Sequence, residues 1–561
     1  MAFSKIVYNL LNMKYSVFEK QILDFLSQDP AFCSHSGLDQ NLGDLPDPGK
    51  NQRIKVQGKI KMFRGMIKSV ETDLKEEEKD LKLWDLYLEQ MRLKLEVEIN
   101  GVPKIMRLPK AFSEIIDPIF LLMINDPRPA KQRIVNIISK LNKSMSYIQS
   151  YVRNIKEPVQ RWVDMELEAL SQVDSIFESL QVWAVKEGFI QMNALEKSII
   201  AAKSALQFYK NFLNDVTKSK DFHLGENQMR EIIKARGIDL TPSEIHQLAK
   251  VFLKENQAMV EELRKKLCLK YRLAPETSAA ELQSFLAQKF SVPFETFEDI
   301  IQRYEHEQSK ILNWLKQKNL FPIIENQSLK IMQTPVYLQP SIPAGAMICP
   351  LGLREGTRHS LIYLTLKETN LAEHTELSIP NMMIHEGIPG HHLHLATATT
   401  HKSVIRRIMP CNDLAEGWTT MLEDYILDQG FGGELEDELR FSAKRDMARL
   451  GARVAIDLFF MSGEKDYLEV GIDADISSDD PFESAGQLLQ AVTGFVPDRV
   501  QGELNWYSQE SGYPLSYLVG NHLMLTLKSK YLRKVADDDF SFHKFILSQG
   551  KMPLSFFDVS T

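Results

Sequence analysis

Four of the chain's thirteen histidines fall within ten residues, in Ile384-His385-Glu386-Gly387-Ile388-Pro389-Gly390-His391-His392-Leu393-His394. A neutral imidazole offers a lone pair near physiological pH, which makes histidine the commonest metal ligand, and a Glu directly after the first His is shared with the helical zinc motif H-E-x-x-H. About 25 residues on, Ala415-Glu416-Gly417-Trp418 opens a second stretch, on a helix where Glu416 and Glu423 are seven apart and share a face. Two His and one Glu make a three-ligand site with a fourth position for water, the arrangement of catalytic rather than structural zinc.

The spacing departs from H-E-x-x-H, whose ligands sit one turn apart at i and i+4. Position i+4 from His385 is Pro389. At about 100° and 1.5 Å per residue, His391 would point roughly 240° away, and His392 would be in line but about 10 Å further along the axis. Gly387 and Gly390 relax the backbone and Pro389 removes an amide donor, so Gly387–Gly390 reads as a bulged turn with two extra residues. His391 then regains the place of i+4, with His392 as the alternative ligand.

Zinc lowers the pKa of a water towards about 7, and a neighbouring carboxylate can act as general base and then carry the proton to a leaving amine. Glu386, next to a ligand and off the ligand axis, suits that role. A tyrosine hydroxyl from another helix could hydrogen-bond the oxyanion of a tetrahedral intermediate. Tyr517 in Gly512-Tyr513-Pro514-Leu515-Ser516-Tyr517 is the candidate, and if that segment is helical Tyr513 projects with it.

The elements that must position these groups read as helix almost throughout. Asn51–Val70, Lys79–Ile99, Lys131–Asn154, Gln160–Val185, Asn193–Thr217 and Glu255–Cys268 carry apolar residues at three- and four-residue spacing, and helix returns at Leu414–Leu427, Glu434–Met461, Pro497–Tyr507, Pro514–Tyr531 and Phe540–Gln549. Thr241-Pro242-Ser243-Glu244 has the form of a capping box. Between residues 335 and 365, Val336–Leu338, Met347–Cys349 and Leu361–Thr365 are short apolar runs separated by Pro and Gly, which predicts a small sheet just before the metal helix. A free strand edge there could hold a peptide backbone by strand addition.

Composition bounds the partners. Apolar content of 44% and charged content of 25% are ordinary for a globular protein, and a net charge of −8 argues against nucleic acid. The four cysteines are far apart, which fits a reducing compartment. No run approaches the roughly 20 apolar residues of a membrane span. Met1–Tyr15 lacks the continuous apolar core of a signal peptide, so a cytoplasmic location is expected.

His385–His392, Ala415–Trp418 and Phe542-His543…Leu547-Ser548-Gln549-Gly550…Pro553-Leu554 resemble the bacterial family catalogued as domain of unknown function 885. The likeness reaches back to Leu240–His246 and so covers roughly the last 320 residues. It implies a large, mostly helical, metallopeptidase-like protein with a zinc site and fixes no substrate. A second likeness is to the helical zinc peptidases of the thimet-oligopeptidase and angiotensin-converting-enzyme group, in which a Gly precedes the second His ligand and the next helix supplies a Glu. That likeness implies one Zn²⁺ held by His385, His391 and Glu416, favours His391 over His392, and makes Gly512-Tyr513…Tyr517 the tyrosine-bearing segment, with Tyr513 towards the substrate.

The chain also departs from the uncharacterised family's pattern. Arg453 and Asp457 match, but Met461 stands where a His is usual, Trp506 replaces an Arg, and Ser511 and Tyr513 replace a Pro and a Gln.

These readings combine into a mostly α, zinc-metallopeptidase-like body with a central groove. Residues 1–320 would form one wall and 321–561 the catalytic region, comprising the small sheet, metal helices over 380–428 and a tyrosine-bearing helix over 513–531, in one continuous unit. The expected activity is hydrolysis of short peptides or other amides. The alternatives are a metal-binding scaffold with an impaired wall and a hydrolase of non-peptide amides or esters.

Overall fold

The computed structural model describes residues 13–335, 339, 342, 345–535 and 538–559, and they are mostly helical, as the periodicity predicts. Contacts divide the chain into two compact units. The first runs to Phe222 and takes in two later returns, Leu351–Gly356 and His401–Met409; the second holds the remainder.

In the first unit the long helices Lys75–Glu96, Ala130–Val152 and Met192–Asp215 bury Trp84, Ile134, Ile137, Ala202 and Tyr209 at helical spacing. The segment expected as one helix over Gln160–Val185 is two, Gln160–Leu170 and Val173–Lys186, parted at Ser171-Gln172 with no Gly or Pro to announce the break. Glu166 is buried and accepts a hydrogen bond from the Phe112 amide at 2.9 Å; burial pushes its carboxyl up to about 8. The return at His401–Met409 brings in Arg406, 1% exposed, which donates to Asp80 at 2.6 Å and to Glu76.

The second unit is organised on the helix Glu436–Ser462, buried on every side from Leu450 onward, with Arg453 and Asp457 the charged residues among apolar ones. Thr241 and Glu244 form the expected capping box, with the Thr241 amide 2.7 Å from the Glu244 carboxylate, and open one 30-residue helix, Pro242–Tyr271. The small sheet has three strands, Gln327–Gln333, Gly345–Ile348 and Arg358–Leu364, with the last in the centre, parallel to the first and antiparallel to the second. Gln327–Gln333 lies ahead of the range the apolar runs predicted, and Val336–Leu338 falls outside the described residues.

Candidate metal centre

The helix Ser378–Glu386 carries His385 and stops one residue later. Gly387, Ile388, Pro389 and Gly390 form the bulge, with a cis Ile388–Pro389 bond, and a new helix, His391–Ala398, begins at once. A Cβ on Gly390 would overlap the carbonyl oxygens of His385 and Ile384, so only glycine allows the chain to fold back this closely. Two side chains hold the turn. Trp418 Nε1 donates to the Pro389 carbonyl at 2.9 Å, and Gln308 accepts from the Ile388 amide at 3.0 Å while its Nε2 donates to the Ile388 carbonyl at 3.3 Å. The result sets the rings of His385 and His391 4.9 Å apart at 85°.

Glu416, on the helix Asn412–Asp428, points between them. Its Oε2 is 3.7 Å from His385 Nε2 and 3.4 Å from His391 Nε2, and one ligand atom from each of the three residues lies within 4.8 Å of the others. That oxygen is buried and has no hydrogen-bond partner among the described residues, whereas Oε1 accepts from the Tyr513 hydroxyl at 2.9 Å. A buried carboxylate oxygen left open between two imidazole nitrogens fits a cation, and the N,N,O donor set is that of a three-ligand zinc site. His392 takes no part: Nδ1 is 2.7 Å from Ser360 Oγ and Nε2 2.6 Å from Gln327 Oε1, which ties the second helix to the sheet.

Neighbouring carboxylates and imidazoles set the charges of the triad. His385 Nδ1 donates to Glu423 Oε1 at 2.7 Å, the outer-shell carboxylate that fixes a ligating imidazole's tautomer and orientation. Burial acts against a charged His385, but the carboxylates of Glu416 and Glu423 facing its two nitrogens outweigh it and the imidazole is pushed up to about 10. Burial likewise opposes a charged Glu416, and the neighbouring His391 and His385 outweigh that, holding its carboxyl well below the usual range. Glu386 is half-buried beside the triad, and its charge acts on both His385 and Tyr517.

The tyrosine segment differs from the helix expected over 513–531. The helix is Ser516–Lys534, and Tyr513 sits in the turn before it, where Gly512 has φ +80° and Pro514 follows. Asp457 organises this turn, accepting from the Gly512 amide at 2.9 Å and the Leu515 amide at 3.0 Å. Tyr513 therefore reaches Glu416 itself, orienting a candidate ligand. Tyr517 lies with its ring 6.1 Å from Tyr513 and under the Arg453 guanidinium at 4.4 Å. Trp506 packs on Tyr513 at 4.9 Å, and Met461 is buried, its carbonyl taking the amides of Leu224 and Gly225.

Glu423, Gln308 and Trp418 hold roles that spacing alone did not assign. Glu423 could have been found from the face it shares with Glu416; nothing in the local sequence marks Gln308, 80 residues from the bulge it holds.

Residues 30–559 match the family described as "Bacterial protein of unknown function (DUF885)". No curated protein matches the chain. Among solved structures, "a putative lipoprotein of unknown function" from Shewanella oneidensis is similar at 18% identity with a TM-score of 0.73, over 97% of this chain and 98% of that one. A "putative lipoprotein" from Colwellia psychrerythraea is similar at 15% identity with a TM-score of 0.78, over 97% of each chain. At these identities the likeness is one of fold. It nevertheless corrects the cytoplasmic expectation, since both relatives are described as lipoproteins. Among the described residues, no helix is long and apolar enough to cross a membrane.

Proposed function

This chain belongs to the DUF885 family, and from that premise we propose that it is a zinc-dependent hydrolase that cleaves peptide or other amide bonds in short substrates. The observation that carries the reading is the buried, hydrogen-bond-free Oε2 of Glu416 between the Nε2 atoms of His385 and His391, with Glu386 beside them. One ion would be held by those three residues; when bound it supplies Lewis acidity towards a water and a carbonyl oxygen.

The chain's own groups do the rest. Glu386 takes a proton from the attacking water and passes it to the leaving amine. The Tyr517 hydroxyl donates to the oxyanion that develops on the substrate carbonyl. Glu423 and Tyr513 hold His385 and Glu416 in place. Among the described residues the strand Gly345–Ile348 pairs only with Arg358–Leu364, and its other edge would align an extended substrate by strand addition. The likeness to thimet-oligopeptidase and angiotensin-converting-enzyme peptidases, in Gly390-His391 and in the Glu416 helix, supports the same reading.

Metal analysis of the purified chain, joined to a peptide-library digest read by mass spectrometry, tests it. Stoichiometric zinc with defined cleavage products is expected. Zinc without any cleavage would favour the scaffold reading, for which the specific observation is Trp506 packed against Tyr513 in the wall of the site.

A further inference from the structure

The helix Glu436–Ser462 carries Arg445, Arg449 and Arg453 at four-residue intervals, which places three guanidiniums on one stripe. The stripe starts beside the candidate metal centre, since Arg453 stands 4.4 Å from the ring of Tyr517. Arg449, one turn back, acts electrostatically on Glu423 and on Tyr517, and Arg499 from the helix Pro497–Gln509 acts on Arg449. All four guanidinium side chains are buried or half-buried.

Acidic partners are too few for them. Arg453 is paired with Glu503 at 2.8 Å and donates to Tyr507 at 2.8 Å, so it is satisfied. Arg449 has Asp446, whose carboxylate is 37% exposed, and feels Glu423 and Glu503, which are already paired to His385 and Arg453. Among the described residues no carboxylate forms an ion pair with Arg445 or Arg499. Burial holds the guanidiniums of Arg445 and Arg449 below their ordinary value, so each is a partly desolvated cation with incomplete compensation. Such a group is costly unless an anion meets it, and guanidinium matches a carboxylate bidentately.

We infer that Arg449 and Arg445 bind a substrate carboxylate, so that the preferred substrates are short peptides carrying a free carboxylate a few residues from the bond cleaved. One step of the stripe is about 6 Å, so Arg449 and Arg445 lie about 6 and 12 Å beyond Arg453, the length of roughly two to four extended residues. That the bound carboxylate belongs to a substrate rests on the hydrolase reading; the carboxylate preference itself rests on the stripe.

The experiment compares three probes: tetra-alanine with a free C-terminus, the same peptide as its C-terminal amide, and an amide whose last residue is Glu. Calorimetric binding to the metal-loaded Glu386→Gln chain and turnover by the wild type are both read. The free acid is expected to bind at least about 10-fold more tightly than the plain amide, as loss of a buried charge pair requires. Arg449→Gln should reduce that ratio to about 3-fold or less with zinc content and helical circular dichroism unchanged, and Arg445→Gln, at a less buried position, repeats the test should Arg449→Gln fail to fold. Tight binding of the Glu amide assigns the carboxylate to a side chain, and tight binding of the free acid alone assigns it to the C-terminus; either supports the inference. Equal binding of all three probes overturns it, even if all are cleaved and the hydrolase reading stands. Acid-selective binding with no turnover by the wild type sinks the hydrolase reading and leaves the arginine stripe intact.

Discussion

Gly417 and Gly520 bring two helices into backbone contact. A Cβ on Gly417 would overlap the Gly520 backbone, 2.9 Å from its Cα, and one on Gly520 would overlap the Asp413 carbonyl and lie 3.0 Å from the Gly417 amide. The contact lies one residue from Glu416 and three from Tyr517, and beside it Asn521 donates to Thr420 at 3.2 Å. Gly520→Ala is therefore expected to cost about 1–3 kcal/mol, the usual range for overpacking, and to weaken metal binding by displacing Glu416. Thermal melting and a zinc titration check this; an unchanged melt would mean the helices are free to separate.

Only one of the two adjacent histidines should matter to metal. His391→Ala is expected to abolish stoichiometric zinc. His392→Ala should keep it and instead lower stability by about 1–3 kcal/mol, because Gln327 and Ser360 lose their buried partner. Metal content of the two variants, measured beside urea unfolding, separates them, and the reverse pattern would refute the bulge argument.

The proposed base and oxyanion donor are separable from the ligands. Glu386→Gln keeps the shape of the side chain but cannot take a proton, so turnover should fall by a factor on the order of 10² to 10⁴ with zinc unchanged. Tyr517→Phe should keep zinc and lose a factor on the order of 10² to 10³. Steady-state rates on whichever peptide the wild type cleaves provide the check, and full activity in Glu386→Gln would falsify the mechanism.

Glu166 makes stability depend on pH. Its carboxyl is raised by burial from 4.5 to about 8 in the folded chain, so the folded state favours the proton. The contribution is fully present below the unfolded value and is lost as pH rises through about 8. Glu166→Gln keeps an oxygen for the Phe112 amide without the charge, and should raise stability at pH 9 by about 1–3 kcal/mol while leaving it nearly unchanged at pH 4. Melting curves at the two pH values decide; equal shifts at both would rule out a buried charge as the cause.

Local chemistry made much of this readable in advance. Glycine and proline between His385 and His391 announced the break, and Thr241 with Glu244 announced a helix start that the structure keeps. Long-range partners were not readable, because no spacing connects Gln308 to Ile388 or His392 to Gln327. Strand Gln327–Gln333 was missed because only Leu329, Ile331 and Met332 interrupt its polar residues and its burial comes from the sheet it joins. At Tyr513 four-residue spacing suggested a helix, whereas Gly512 and Pro514 set a turn that Asp457 caps. The break at Ser171-Gln172 has no such mark.

The passage of the chain between its two units bears on how such a protein can be inherited or engineered. Leu351–Gly356 and His401–Met409 belong with the first unit although the segments on either side of them belong with the second, so the polypeptide changes unit five times. A gene fragment ending near residue 222 would lack Arg406, leaving Asp80 and Glu76 without their cation, and the complementary fragment would carry that arginine with no acid to receive it. Shuffling the halves between homologues, or expressing one alone, is thus expected to give insoluble product, and recombination should be tolerated only where whole chains are exchanged.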